Sequence, residues 1–277
     1  MMHESREFLQ QELAHIEKWE QEQKDLWIWE KLGRIPFAVL DKITPRAVHD
    51  KIEQALNELG NFLMTGGRYL ILEQRVYQKC AQKWPQLRPP YTPAQMAEAP
   101  LNVMDELADD MIETHVGVAT VQGATTGFGG VFTLALDIPA VLGLSLKILQ
   151  EIAIVYGYDP KDPRERAFIV KCMQFSCSDY VGKQAIIEQL AVFHQPPDPQ
   201  RERHIISELQ GWREVFESYR DTWGWKKLFQ LVPVIGVFFG AIWNRTMLQD
   251  VAEAGKQFYR KRRIHEKMKQ TLPSGHS

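Results

Sequence analysis

Apolar residues recur every three or four positions along most of the chain, the repeat of a helix with one buried face. Over residues 5–24 Phe8, Leu13, Ile16 and Trp19 fall on one side, with glutamate and glutamine on the other. Thr44-Pro45 predicts the start of another helix: the threonine hydroxyl can cap free N–H groups, and proline fits a first turn. Ile52, Ala55, Leu56, Leu59, Phe62 and Leu63 follow at helical spacing up to Gly66-Gly67, and Tyr69, Leu72, Val76 and Cys80 mark the next segment. Pro85, Pro89, Pro90 and Pro93 make 84–93 a loop. Thr92-Pro93-Ala94-Gln95 has the spacing of a capping box. A helix is then predicted from about Asn102 through Val103, Leu107 and Met111, with Asp105, Glu106, Asp109, Asp110 and Glu113 on its acidic side. Asp162-Pro163 opens a further helix through Phe168, Ile169, Cys172, Met173 and Phe175, and a second proline loop at 195–199 precedes one with Ile205, Leu209, Trp212, Phe216 and Tyr219.

Two stretches break this alternation. Val116 to Leu136 holds no charge, and neither does Leu228 to Trp243. The first places Ala119, Gly123 and Gly127 four residues apart, followed by Gly129 and Gly130; the second places Gly236 and Gly240 in the same relation. Small residues at i and i+4 share a helix face and let another backbone come close. Ala119, Gly123, Gly127, Gly130, Gly236 and Gly240 are therefore expected to form the contact of an apolar helical hairpin. Neither stretch suits a membrane span of about 20 mostly apolar residues: the first is diluted by glycine and threonine, and the second contains Pro233. Asp137-Ile138-Pro139 reads as a helix start with Asp137 as cap, leading to Leu142, Leu146, Leu149 and Ile152 and ending at Gly157. Strand patterning is confined to a brief alternation at Val116-Gly117-Val118.

The expected fold is all-α. One helical domain over 41–270 is built round the glycine-rich hairpin, preceded by an amphipathic arm at 1–40 and followed by a flexible tail at 271–277. Hydrophobic residues make up 44% and charged residues 25% of the 277, which fits a folded chain and excludes a disordered one. A net charge of -2 gives no reason to expect nucleic acid as a partner. Three cysteines make no disulfide framework and point to a reducing, cytoplasmic compartment. Charges at Glu4, Arg6, Glu7 and Glu12 interrupt any secretory leader.

Charge is unevenly spread. Lys256 to Lys269 carries seven Lys/Arg against one Glu, with Phe258, Tyr259, Ile264 and Met268 as an apolar side. Trp223, Trp225, Lys226 and Lys227 flank one end of the second apolar stretch, and Trp243 stands at its other end. With Arg260, Lys261, Arg262 and Arg263 these residues form the candidate contact with an anionic membrane surface, in the manner of an interfacial helix; a solvated basic face is the competing expectation.

Catalytic patterns are thin. No phosphate-binding glycine loop with its lysine is present, Gly143-Leu144-Ser145 lacks the second glycine of a nucleophile elbow, and no His-Glu-x-x-His occurs. No metal site and no cofactor are expected. Asp109 and Glu113 could share a cation but suit a solvated face better. Asp137, between two apolar runs, is the weak candidate for a proton-transfer carboxylate, with Glu151, Asp159 and the tyrosines at 156 and 158 as neighbours to consider.

Several of these segments together resemble the EcsC family of bacterial proteins. The resemblance lies in Gly123-Ala124-Thr125-Thr126-Gly127-Phe128-Gly129-Gly130, in Asp137-Ile138-Pro139, and in Ile152 through Val155-Tyr156-Gly157-Tyr158-Asp159. It continues in Leu231-Val232-Pro233-Val234-Ile235-Gly236 through Gly240, Asn244, Ala254 and Tyr259-Arg260. It covers most of the chain and is weakest over 84–100. Family members are often encoded beside an Ecs-type ABC transporter linked to secretion and to processing of membrane proteins and peptides. The resemblance implies that transporter as a possible partner and supplies no catalytic residues; with the apolar stretches and the basic tail, the expected function is a non-enzymatic accessory protein at the inner membrane face. Two other readings stand beside it: an enzyme such as a hydrolase of lipid or hydrophobic peptide, with a pocket at Phe128, Phe132, Asp137 and Tyr156, and a soluble helical scaffold.

Overall fold

In the computed structural model, residues 4–23, 62, 71–126, 131–176, 180–194 and 243–270 are described, with side chains placed for all of these except 118–142, 180–182 and 243–247. All regular structure among them is helical. The helices are α1 (Arg6–Glu22), α2 (Glu73–Lys83), α3 (Pro93–Ala97), α4 (Leu101–Thr126), α5 (Val131–Val155), α6 (Pro163–Ser176), α7 (Tyr180–Ala191) and α8 (Trp243–Gln270), with a 3-10 turn at Val192–His194 after α7. None of the helices among the described residues is long and apolar enough to cross a membrane.

Local signals set most of the boundaries. Ser5 caps α1, its hydroxyl accepting from Phe8 N at 3.1 Å. Thr92 caps α3 by accepting from Gln95 N at 3.3 Å. The predicted box closes on that side only, since the Gln95 side-chain oxygen is buried without a partner. Asp162 starts α6, its carboxylate accepting from Arg164 N at 2.8 Å. Leu72 departs from its helical expectation: it precedes the first turn of α2 in extended backbone and is 62% exposed.

α8 is the axis of the fold. It packs against α1, α4, α5 and α6, and α4 packs against α5. Its predicted apolar side is inside: Phe258, Tyr259 and Ile264 are buried and Met268 is partly so. They meet Trp19 and Phe175, whose rings stand 5.7 and 4.8 Å from that of Phe258. α8 comes close to α5 at Gly255, where a Cβ would lie 2.3 Å from a methyl of Leu149.

The start of α5 corrects one expectation. The helix is continuous from Val131 to Val155, so Asp137 is its seventh residue and not a cap, and Pro139 lies inside the helix. Proline forfeits one backbone bond there, but the apolar residues on both sides favour one long helix over two short ones.

Candidate functional site

Arg260, Lys261, Arg262 and Arg263 are consecutive, and consecutive residues on a helix point about 100° apart. Four of them sweep most of the circumference of α8, so they cannot all face one surface. Each reaches a different neighbour. Arg260 donates from Nε to both Asp105 oxygens on α4 at 3.0 Å and from a terminal nitrogen to Glu12 on α1. Lys261 bonds both Glu20 oxygens on α1 at 2.8 Å. Arg262 pairs in fork geometry with Glu165 on α6, at 2.7 and 2.8 Å. Arg263 donates to the carbonyls of Tyr156 and Gly157 at the end of α5. These four of the residues expected to meet lipid headgroups are thus committed to partners within the chain, with Arg262 and Arg263 each only 4% exposed.

The pairing extends along the helix. Lys256 and Arg260 sit one turn apart on α8, opposite Asp109 and Asp105 one turn apart on α4. Lys267 donates to Glu4 at 2.6 Å, and the other oxygen of Glu4 accepts from Leu101 N at the start of α4. The acidic side of α4 is exposed as expected at Glu106, Asp109, Asp110 and Glu113, while Asp105 is partly buried against the basic helix, which Asp109 also reaches from the surface. Burial pushes the Asp105 carboxyl up, against the lowering effect of Arg260 and the Tyr156 hydroxyl.

The second half of the node is the turn after α5. Tyr158 N bonds Ala153 O at 2.8 Å, and Gly157 N bonds Ile154 O at 2.9 Å. This is a Schellman ending, with Gly157 at φ +80°. Arg263 places a cation on the same carbonyl end, where the helix dipole favours positive charge. The Tyr156 hydroxyl donates to Asp105 at 2.7 Å, and that of Tyr158 to Glu266 at 3.1 Å. The Arg262 guanidinium lies 4.1 Å from the ring centre of Tyr158 and 4.4 Å from that of Phe168. Burial works against its charge, but Glu165 and the surrounding hydroxyls raise its pKa on balance. Tyr156-Gly157-Tyr158 and Tyr259-Arg260, the segments that carried the family resemblance, thus meet in one polar junction of α1, α4, α5, α6 and α8.

The first apolar stretch forms the far half of the paired helices α4 and α5. His115 Nε2 and Glu151 Oε2, 2.8 Å apart and buried, tie the two helices together. Past His115, α4 continues from Val116 to Thr126, and no charged residue follows until Asp137 on α5. At Gly117 a Cβ would find nothing within 4 Å. Gly123 belongs to α4, whereas Gly127 and Gly130 lie outside the described residues, as do Gly236, Gly240, Trp223, Trp225, Lys226 and Lys227. Ala119 also lies on α4, Asp137 on α5 and Trp243 at the start of α8, all three with side chains outside the description. The expected contact between the two glycine segments therefore falls outside the described residues.

Burial pushes the Cys80 thiol up to about 12 and that of Cys172 well above its ordinary value, the reverse of a nucleophile's needs. Among the described residues no three His, Cys, Asp or Glu side chains are grouped closely enough to hold a metal ion. An open cleft of about 380 Å³ between α2 and α4 has Leu107 and Met111 in its lining, with Lys79, Lys83, Asp110 and Glu113 also along it. Sequence reasoning missed Glu12, Glu20 and Glu165 as partners and His115 as a buried bond. The signal for the first group was available, since four consecutive cations require four directions of support.

The sequence model of the EcsC protein family matches residues 10–264. The uncharacterized protein YdbA of Bacillus subtilis (strain 168) is 52% identical over 268 residues, covering 97% of each chain. Protein EcsC of the same organism is 30% identical over 166 residues, 60% of this chain and 66% of that one. No solved structure matches.

Proposed function

Since the chain belongs to the EcsC protein family, we propose that it is a non-enzymatic accessory protein that works at the cytoplasmic face of the cell membrane in the service of an Ecs-type ABC transporter. The observation that carries this reading is the charge-free far half of the α4–α5 pair, beyond the His115–Glu151 tie. Along most of α8 the cations are paired with carboxylates of neighbouring helices; here two helical segments carry no charge and combine apolar residues with glycine, threonine and one glutamine. Such a segment suits shallow contact with acyl chains or with the apolar flank of a membrane protein. The commitment of His115, Asp105, Glu165 and Tyr156 to structural bonds supports the non-enzymatic part of the reading.

Flotation of the full chain with vesicles of phosphatidylglycerol and phosphatidylcholine tests it. The protein is expected to float with the vesicles, and the binding is expected to persist at high salt, because the cations of Arg260–Arg263 are already paired. Phe132→Asp with Leu134→Asp should reduce the bound fraction about tenfold while leaving the melting temperature within a few degrees. A parent protein that ignores vesicles of every composition, or a double variant that floats equally well, overturns the reading.

A further inference from the structure

We propose that the far end of α8 carries a binding site for a phosphate-type dianion, formed by Lys269, His265 and His194. The starting point is an exception. Of the seven Lys and Arg residues from 256 to 269, Lys256, Arg260, Lys261, Arg262, Arg263 and Lys267 each meet a carboxylate. Lys269 meets the backbone carbonyl of His194 at 2.9 Å and, among the described residues, no carboxylate. One bond to a carbonyl leaves two of its three ammonium hydrogens to give.

Lys261, His265 and Lys269 stand four residues apart and so share one face of α8. The ring of His194, on the 3-10 turn, lies 4.8 Å from that of His265 at a tilt of 35°. Two imidazoles and an ammonium therefore gather at one edge. Lys269 is exposed, and both histidines are half-buried.

The charged surroundings are mostly positive. From α8 come Lys261, held by Glu20, and Arg262, held by Glu165. From α6 comes Arg164, whose guanidinium donates to the carbonyl of Phe193 beside the site. From α1, Glu17 is the acid that acts on His265 in the opposing sense. Burial pushes His194 down to about 3, with His265, Lys261, Arg262 and Lys269 adding to the fall. Burial also lowers His265, and Lys261 and Lys269 lower it further.

Both rings are thus neutral at neutral pH, each with one N–H to donate. A tetrahedral dianion seated between them and Lys269 would accept from the ammonium and a ring nitrogen. It would also cancel part of the positive potential that keeps protons off the rings. Binding and protonation then favour each other, and affinity rises as pH falls. Inorganic phosphate and the headgroup of phosphatidic acid share this chemistry. The site is separate from the α4–α5 pair and does not depend on the membrane reading.

Sulfate is the probe for the pH dependence, because its charge is constant over the range used. Calorimetric titration of the full chain should show binding about fivefold tighter at about pH 5.5 than at about pH 7.5. Lys269→Gln should weaken it about fivefold, and His265→Gln should flatten its pH dependence. Lys79→Gln, in the cleft between α2 and α4, should leave it unchanged. Lys269→Gln removes an exposed charge and one bond to a carbonyl near the helix end, so the fold is expected to survive it and it decides the matter even if the histidine variant fails to fold. Two further arms identify the source. Binding to phosphatidic acid vesicles that is lost in Lys269→Gln assigns the site to a headgroup, while binding of inorganic phosphate without the vesicles assigns it to the free anion. Sulfate affinity that is the same at both pH values, or is unaffected by Lys269→Gln, overturns the site.

Discussion

At Gly157 an added Cβ would lie 2.6 Å from the backbone nitrogen of Ala97 and 2.9 Å from the carbonyl oxygen of Pro93, on a residue already at φ +80°. Backbone cannot move aside, so Gly157→Ala should cost about 2–4 kcal/mol in urea unfolding. Gly255→Ala is the useful contrast. There the obstacle is a methyl of Leu149, the far end of a side chain that can turn. The gain of about 1 kcal/mol from replacing a helical glycine offsets the shift, and stability should stay within about 1 kcal/mol of the parent. Equal losses at the two positions would contradict this account of the turn. Carboxylates divide in the same way. Glu165→Gln leaves the buried Arg262 charge without its counter-ion and should cost about 3–5 kcal/mol, whereas Glu22→Gln, on the surface with Lys18, should cost about 1 kcal/mol or less. Denaturant curves of both variants give the comparison.

His194 also sets a pH response. Its folded value of about 3 lies below the ordinary 6.5, so the unfolded chain binds the extra proton first. The contribution is complete above 6.5 and is lost as pH falls toward 3, at up to about 1.4 kcal/mol per pH unit. Glu20 and Asp105, whose pKa values burial raises, act in the opposite sense once the carboxylate range is reached. Thermal melts should therefore show a loss just below pH 6.5 that His194→Gln reduces, the remainder coming from His265, which burial lowers as well; a loss of undiminished size in that variant would assign the response to other groups.

At the level of elements, the helices were legible wherever one face alone is apolar. α1 and α6 appear close to their expected limits, α4 begins where expected but runs on past Met111 to Thr126, and Thr92 and Asp162 cap as their sequence context requires. The errors have physical reasons. Asp137-Ile138-Pro139 looks like a start because aspartate and proline favour one, but a long apolar helix carries both inside it. The basic segment looked like a surface because its charges were weighed by density. Direction decides instead: a wheel tells which residues turn inward but not which helix they will meet. Asp105 and Asp109 faced Arg260 and Lys256 with matching spacing, yet nothing in a single chain announces that two segments so distant in sequence are neighbours. The His115–Glu151 bond was out of reach for the same reason.

For the molecule as a whole, the EcsC fold has two contrasting regions. One is a polar junction where α8 gathers α1, α4, α5 and α6 through paired charges. The other is the uncharged half of α4 and α5, beyond the bond between His115 and Glu151. The first accounts for the cohesion of the helices, and the second is where the proposed membrane work is done. Separating them experimentally is straightforward, because substitutions in the junction act on stability and those in the uncharged half on vesicle binding.

The bond between Glu4 and Lys267 spans 263 positions of the chain. It brings Glu4 and Lys267, near the first and last of the described residues, to one corner. A short bridge could join the two ends, and the ring could be reopened at the exposed stretch around Arg88. The order in which the helices are synthesised would then change while the ion pairs of α8 with α1, α4 and α6 were kept.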